Sequence, residues 1–277
     1  MKLKDKVAII TGVGSPKGLG KGIADAFANE GAKLVICDIN EEAVKERAKE
    51  IGAKGTPCLG LKCDVSSVES VKQMFAETVK KYGTVDILVN NAALIPTSKP
   101  AEEQRRNLHY AYMTTAMPRQ SLGITSGLTD EDWLKWWGVN VHGVFYCTRE
   151  ALKIMEPKKY GRIVNVASTG GISVMSGHSP GYSASKAAVV QFTKTVAQDV
   201  AGAGIFVNCM APGGIQTDQF EAYLSKKSEA EKNTIFQIVP AGRLGKLEEY
   251  AATAVHLASD EHYLVGQIIS PNGGLVL

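Results

Sequence analysis

The sequence lacks the features of a disulfide framework, a zinc ribbon or a membrane protein. Its five cysteines are odd in number and scattered, without a Cys-x-x-Cys pair, so we expect free thiols in a reducing compartment. No apolar run approaches the roughly 20 residues that a membrane helix needs, and the N-terminus has no apolar stretch typical of a signal peptide. These absences predict a cytoplasmic protein without a membrane partner.

An excess of one charge is also absent. The chain has 31 Lys and Arg against 28 Asp and Glu, a net charge of +3, which is too weak a bias to predict a nucleic-acid partner. Its five histidines are isolated and no His-Glu-x-x-His motif occurs, so we expect no metal site. What the sequence does contain is 44% hydrophobic residues in a chain of 277, enough for a substantial buried core.

Short β-branched runs alternate with longer amphipathic stretches along the chain. We expect strands at 7–11, 33–38, 56–64, 85–90, 162–167, 205–210 and 267–270, and helices at 19–30, 41–51, 68–82, 130–155, 182–201 and 247–259. This alternation is typical of βαβ units. It predicts a doubly wound α/β fold with a seven-stranded parallel sheet, in a single domain over residues 1–277 with no linker.

Two segments depart from the alternation. Residues 94–127 form an unusually long insert, and residues 215–246 form a polar helical excursion. Both follow strands at the carboxyl edge of the sheet, where open α/β sheets bind ligands. As a long excursion, 215–246 is expected to be a functional lid or a disordered insert, whereas the insert at 94–127 is either a wall of the substrate pocket or an oligomer contact. Candidate substrate contacts are Arg106, Arg119, His178, Phe220, Tyr223, Ile235 and Phe236.

A glycine-rich loop follows the first predicted strand and runs into the first helix. Such a loop lets the backbone approach a pyrophosphate, whose charge is stabilised by the free N–H groups and the dipole of the helix. Asp38 ends the next strand, 18 residues after Gly20, close to the spacing of a dinucleotide-binding acid. The candidate contacts in the loop are Gly12, Gly14, Ser15, Lys17, Gly18, Leu19 and Gly20.

The residues that end the second strand predict which dinucleotide is bound. The carboxylate of Asp38 can accept hydrogen bonds from the ribose hydroxyls of NAD, whereas it would repel the 2′-phosphate of NADP. Ile39, the next residue, offers that phosphate no contact. Lys17 in the loop, by contrast, mildly favours NADP. We therefore predict NAD as the cofactor.

Tyr182 and Lys186 lie four residues apart on a predicted helix and therefore on one face of it. Ser168 follows the strand at 162–167, and Asn140 lies in Gly-Val-Asn-Val. With these residues the sequence resembles the short-chain dehydrogenase/reductase family over nearly its whole length. The further matching motifs, in the family's order, are Asp64-Val65, Asn90-Asn91-Ala92-Ala93 and Pro212-Gly213-Gly214-Ile215-Gln216-Thr217.

The resemblance implies a Rossmann fold, a homotetramer and a role for each matched residue. Tyr182 is the implied general acid/base, and Lys186 would lower the pKa of its phenol and hold the nicotinamide ribose. Ser168 would bind the substrate oxygen, and Asn140 would support a water relay to Lys186. The implied cofactor contacts are Asp64, Val65, Asn91, Ala92, Ala93, Tyr182, Lys186, Pro212, Gly213, Ile215 and Thr217.

These residues predict an NAD(H)-dependent oxidoreductase that interconverts a secondary alcohol and a ketone of a bulky or hydrophobic small molecule. An alternative is a 3-oxoacyl-thioester reductase acting on acyl carrier protein or CoA derivatives, and a third is a non-catalytic dinucleotide-binding protein. A hydrolase is disfavoured: Gly177 to Gly181 match Gly-x-Ser-x-Gly, but Pro180 has no N–H for an oxyanion. Two departures from the family pattern are a glycine loop two residues longer than usual and Ala93 in place of a glycine.

Overall fold

A seven-stranded parallel sheet runs through the molecule. The computed structural model describes residues 1–96, 100–116 and 118–277. Its strands are β1 Val7–Thr11, β2 Lys33–Asp38, β3 Cys58–Lys62, β4 Ile87–Asn90, β5 Gly161–Val166, β6 Ile205–Met210 and β7 Ile268–Ile269. Their order in the sheet is β3-β2-β1-β4-β5-β6-β7. The predicted doubly wound α/β fold is confirmed, and the strand order reverses between β1 and β4.

Helices cover both faces of this sheet. They are α1 Leu19–Asn29, α2 Glu41–Ala53, α3 Val68–Tyr82, α4 Pro100–Thr114, α5 Asp130–Trp137, α6 Val144–Lys158, α7 Pro180–Val200, α8 Asp218–Leu224, α9 Glu229–Gln237 and α10 Leu247–Ala258. Within the described ranges, none of these helices has the combination of length and apolar character that a bilayer span requires.

The core has two layers because successive side chains of a strand point to opposite faces. In β1, which is fully buried, Ile10 packs with residues of α1, α2 and α10. Its neighbour Ile9 packs with residues of α3, α6 and α7 on the other face. Burial on both faces explains why the central strands are continuous apolar runs rather than alternating ones.

The predicted helix at 130–155 is interrupted in the structure. Between α5 and α6, residues Gly138–Gly143 form a π-helical turn, in which hydrogen bonds skip one residue more than in an α-helix. Asn140 lies in this turn and is completely buried. The sequence pattern does not reveal this turn, since its apolar residues continue the helical period on both sides.

The insert and the lid each contain helical structure. The insert, 94–127, holds α4, which the sequence did not predict, and the lid, 215–246, holds α8 and α9. Ion pairs tie α4 to α5: the Lys135 ammonium lies 3.3 Å from the Glu102 carboxylate, and Arg105 lies 3.8 Å from Asp132. These ion pairs therefore hold α4 next to α5, which directly precedes the π-helical turn that carries Asn140.

Candidate functional site

A cavity of about 390 Å³ lies at the carboxyl ends of the strands; we call it the glycine-loop cavity. Predicted site residues that line it are Gly12, Ser15, Gly18, Leu19, Gly20, Asp38, Ile39, Asp64, Val65, Asn91, Ala92, Ala93, Ser168, Tyr182, Lys186, Pro212, Gly213, Ile215 and Thr217. Lining residues that the sequence analysis missed are Cys63, Leu94, Ile95, Val139, Val166 and Ala167. All but Val139 adjoin predicted motifs at strand ends, a signal that could have found them. Gly14, Lys17 and Asn140 do not line this cavity.

Ser168, Tyr182 and Lys186 come together on the wall formed by β5 and α7. The Lys186 ammonium donates to the carbonyl of Val166 over 2.9 Å and lies 5.9 Å from the centre of the Tyr182 ring. The indole of Trp136 packs edge-on against that ring, with 5.7 Å between the ring centres. Tyr182 is thus held between a cation and an aromatic neighbour, with its phenol in the cavity wall.

Burial dominates the ionisation of these groups. It raises the pKa of the Tyr182 phenol, and a hydrogen bond with the Ser168 hydroxyl opposes the rise. It lowers the pKa of the Lys186 ammonium to about 8. The family resemblance implied that Lys186 lowers the pKa of Tyr182, but the removal of the phenol from water acts in the opposite direction. The phenol is therefore protonated at neutral pH.

The side chain of Asn140 joins the start of the insert to α7 by hydrogen bonds. Its Oδ1 accepts the N–H of Leu94 over 2.8 Å, and its Nδ2 donates to the carbonyl of Leu94 over 3.0 Å and to the Ser185 hydroxyl over 3.1 Å. Both amide protons are used in these contacts. The side chain therefore positions Leu94 rather than contacting Lys186.

Two glycines of the loop have different tasks. Gly12 has a φ of +74°, and a Cβ there would lie 2.7 Å from the Cα of Ala92, so only glycine fits. Gly14 does not face the cavity: its N–H donates to Asp38 over 2.8 Å, and a Cβ would lie 2.6 Å from the Asp38 carboxyl carbon. The second glycine therefore makes room for the acid rather than for a pyrophosphate.

Thr11, which the sequence analysis did not select, joins the loops after β1 and β4. Its hydroxyl accepts the N–H of Asn91 over 3.0 Å and that of Ala92 over 2.9 Å. In return, the Asn91 amide donates to the carbonyls of Thr11 and Gly12 over 2.9 and 3.0 Å. These four hydrogen bonds hold the loops after β1 and β4 together where they line the cavity.

The cavity fits a nicotinamide dinucleotide. Helix α1 begins at Leu19, its N-cap Gly18 offers no capping side chain, and its first turn has no acidic residue. Both of these residues line the cavity, so the positive end of the helix dipole is available to an anionic diphosphate. Asp38 lines the same cavity, and a carboxylate there can accept hydrogen bonds from ribose hydroxyls.

Lys17 lies outside the cavity and contacts the lid instead. Its ammonium lies 2.8 Å from the Glu221 carboxylate, and its N–H donates to Asp218 over 3.4 Å. The Ser15 hydroxyl donates to the same Asp218 carboxylate over 3.2 Å. The glycine loop therefore reaches α8 through Ser15 and Lys17.

The remaining candidate substrate contacts lie away from the glycine-loop cavity. Arg106 and Arg119 stack over Tyr223 and Tyr112, with 4.8 and 5.0 Å to the ring centres. Tyr223 and Ile235 line a separate cavity between α4 and the lid, whereas Phe220 and Phe236 line neither.

His178 is a buried residue of the loop before α7. It is only 9% exposed, and burial lowers its pKa to about 4. Its ring centre lies 6.0 Å from that of His109 on α4. This histidine therefore packs against the insert, and it does not line the glycine-loop cavity.

Groups of metal-ligand type do not assemble in the described chain. Over residues 1–96, 100–116 and 118–277, no three His, Cys, Asp or Glu side chains converge in a way that could hold an ion.

Comparisons with known proteins show what the chain is similar to. Residues 6–228 match the family model described as short chain dehydrogenase. The chain is 37% identical to a 3-oxoacyl-(acyl-carrier-protein) reductase of Thermotoga maritima over the full length of both. It is 34% identical to a 3beta-hydroxysteroid dehydrogenase of Mediterraneibacter gnavus, over 99% of this chain and 95% of that one.

A solved structure extends the likeness to three dimensions. An actinorhodin polyketide ketoreductase variant with NADPH superposes with a TM-score of 0.83 and 32% identity, over 98% of this chain and 97% of that one. Family model, relatives and structure all identify enzymes of one kind. The chain therefore belongs to the short-chain dehydrogenase family, whose oxidoreductases interconvert alcohols and ketones with a nicotinamide dinucleotide.

Proposed function

We propose that the protein is an NAD-preferring oxidoreductase that interconverts a secondary alcohol and a ketone on a bulky or hydrophobic substrate. The observation that carries this proposal is that one cavity is lined both by Asp38 and by Ser168, Tyr182 and Lys186. A dinucleotide bound through the acid would share that cavity with a proton donor and a hydroxyl for the substrate oxygen.

The preference for NAD is supported by the charges near the ribose site. Asp38 accepts the N–H groups of Gly14 and Asn40 over 2.8 and 3.0 Å, which holds its carboxylate in place. Ile39 beside it is 66% exposed and uncharged. Lys17, the one loop cation that could favour a 2′-phosphate, pairs with Glu221. The related ketoreductase structure contains NADPH, so the two dinucleotides must be compared directly.

The chain's own groups supply the proton chemistry. When bound, the dinucleotide donates a hydride to the carbonyl carbon in reduction and accepts it in oxidation. In reduction, Tyr182 donates its phenolic proton to the substrate oxygen, and the Ser168 hydroxyl donates a hydrogen bond to the same atom. Because the pKa of the Tyr182 phenol is raised, the phenol carries its proton at neutral pH and can act as the acid.

Asn140 would act through its main chain. Because its side-chain amide is occupied by Leu94 and Ser185, the group left to hold a water on the way to Lys186 is its carbonyl in the π-helical turn. Departures from α-helical hydrogen bonding are frequent at functional sites, since they free backbone groups.

An assay with purified protein tests the proposal. We expect oxidation of NADH with at least one pool of bulky ketones, measured as loss of the reduced-nicotinamide absorbance. Tyr182→Phe should lower turnover by roughly 100- to 10,000-fold while leaving dinucleotide binding intact. Tyr160→Phe is the control, because its phenol bonds Asp260 away from the site. Equal turnover of Tyr182→Phe and the parent protein would refute the assignment.

A 3-oxoacyl-thioester reductase is the second candidate, and the end-to-end match to the Thermotoga maritima reductase favours it. Faster turnover with NADPH than with NADH, on a substrate carried by acyl carrier protein, would establish it over the first. Dinucleotide binding without turnover of any pool would instead indicate the third alternative, a non-catalytic binding protein.

The organisation of the molecule is also a proposal. We propose one domain over residues 1–277, in the cytoplasm, where its five free thiols stay reduced. A homotetramer is supported by the exposure of Leu134 on α5 (64%) and Phe145 on α6 (42%), because large apolar side chains at a surface favour association. Light scattering would measure the assembly.

A further inference from the structure

We infer that the cavity between α4 and the lid is a subsite for an uncharged, elongated arm of the substrate, beyond its reacting ketone, that carries carbonyl or amide oxygens. We call it the insert cavity; its volume is about 430 Å³. It is lined by Asn107, Tyr110, Ala111, Thr114, Thr115, Tyr223, Lys227, Glu231, Thr234, Ile235 and Ile238. This inference rests on the proposed function.

The same two segments form walls of both cavities. At its start, the insert lines the glycine-loop cavity with Leu94 and Ile95, and further on α4 lines the insert cavity. The lid does likewise, with Thr217 at one cavity and Tyr223 at the other. These two residues are separated by about 9 Å along α8, at 1.5 Å per residue. Both cavities are therefore bordered by the same two segments, at a spacing along α8 that an elongated substrate arm can span.

Contacts between α4 and the lid hold the insert cavity in shape. The Arg106 guanidinium stacks 4.8 Å from the centre of the Tyr223 ring and donates to the carbonyl of Pro96 over 3.1 Å. The Lys227 ammonium donates to Asn107 over 3.1 Å. A cavity whose walls are joined by cross-contacts is formed before a ligand arrives, which lowers the cost of ordering on binding.

The lining chemistry defines the arm. Tyr110 and Tyr223 keep their protons, because burial raises the pKa of both phenols, that of Tyr223 to about 12. They offer hydroxyl donors beside the apolar side chains of Ile235 and Ile238. The charges of the lining compensate, since the Lys227 ammonium lies 3.3 Å from the Glu231 carboxylate. Donors, apolar surface and no net charge match an uncharged chain with oxygen acceptors.

Two ketones with the same reacting group test the subsite: methyl acetoacetate, which is short, and acetoacetyl-pantetheine, which has a long amide-bearing arm. Ala111→Trp places an indole in the insert cavity. We expect Ala111→Trp to lower kcat/KM for acetoacetyl-pantetheine at least tenfold, by raising KM. The same substitution should change kcat/KM for methyl acetoacetate by less than twofold. Tyr110→Phe should lower kcat/KM by a few-fold for acetoacetyl-pantetheine and leave kcat/KM for methyl acetoacetate unchanged. Ala101→Trp, on an exposed position of α4, is the matched control.

The possible results separate this inference from the proposed function. Equal losses for both ketones in Ala111→Trp, or no loss for either, would overturn the subsite while the proposed function stands. If the parent protein reduces neither ketone, titration calorimetry with pantetheine alone decides. Binding that Ala111→Trp abolishes and Ala101→Trp retains supports the subsite, and no binding to the parent protein refutes it.

Discussion

The Lys17 ammonium lies 2.8 Å from the Glu221 carboxylate and joins the glycine loop to the first lid helix. Beside this pair, Asp218 accepts from Ser15 and from the N–H of Lys17. Loop and lid therefore share three polar contacts next to the cavity that Ser15 and Thr217 line. If a bound dinucleotide has to pass these contacts when it leaves, we expect its release to be slowed by them.

Lys17→Ala should speed dinucleotide release by a few-fold without changing the thermal midpoint of unfolding, because exposed ion pairs contribute little to stability. Stopped-flow displacement of NADH measures the release rate. The matched control is Lys21→Ala, which removes the Lys21–Asp25 pair within α1, also formed by a surface lysine. The slowing of release by these contacts is excluded if both variants release NADH at the parent rate, or if both accelerate equally.

Asp38→Asn should raise the ratio of kcat/KM with NADPH to that with NADH by at least about tenfold. The substitution removes the repulsion of a 2′-phosphate, worth on the order of 1–4 kcal/mol at close range. Asp38→Asn combined with Ile39→Arg should raise the ratio further, because a guanidinium can bind the phosphate. Initial rates with both dinucleotides measure it, and Asp25→Asn on the surface of α1 should leave it unchanged. An unaltered ratio in the double variant would mean that the ribose lies elsewhere.

Ketone reduction should lose rate as the pH rises through about 8, where the buried Lys186 ammonium loses its proton. Below that pH the lysine is charged and supports the site. Tyr182 does not cause the fall, since the pKa of its phenol is raised. The pH profile of kcat/KM should show this break in the parent protein and in Lys194→Met, an exposed position of α7, but not in Lys186→Met. The same break in Lys186→Met would assign it to another group.

His178 should make the protein less stable as the pH falls from about 6.5 to about 4. Its folded-state pKa lies below the unfolded value, so in this range the unfolded chain binds a proton that the folded chain does not. The full loss is on the order of 3 kcal/mol, at 1.36 kcal/mol for each pKa unit. Arg105, Arg106 and His109 oppose protonation, and Glu102 favours it.

Urea unfolding at neutral and acidic pH measures this loss. His178→Gln should lose less free energy of unfolding on acidification than the parent protein does. His142→Gln, at an exposed histidine, should lose as much as the parent. The assignment to His178 fails if its variant is as acid-sensitive as the control.

Much of the sheet could be predicted because buried strands carry a local signal. The ranges of β1, β2 and β6 agree with the prediction residue for residue, since each is a mainly apolar run close to charged residues, glycine or proline. Helix α4 carries no such signal. Its one buried residue is Glu102, and ion pairs with α5 and the lid hold it in place, so its sequence has no apolar stripe of helical period.

Most residues that line the glycine-loop cavity were predicted as site residues, but the contacts of several of them were not. Strand ends bring distant motifs to one edge, which the alternation of elements already implies. The contacts of Gly14 and Lys17 could not be predicted from the neighbouring sequence. Gly14 donates to Asp38 and Lys17 pairs with Glu221, and both partners are far away in the sequence. The orientation of Asn140 likewise depends on a π-helical turn that tertiary packing imposes.

The hydrogen bonds between Asn140 and Leu94 mark the boundary between the insert and the segment around Ser185. We expect the sequences of these two parts to change at different rates in evolution. Both backbone groups of Leu94 are fixed by that amide, so we expect a change in the length of the insert after Leu94 to disturb the geometry around Ser185 less than a change at Asn140 would. Loop length tolerates variation where no fixed contact is displaced. If the insert is a wall of the substrate pocket, we expect relatives of this protein to differ in substrate range through the insert while the residues around Ser185 stay the same.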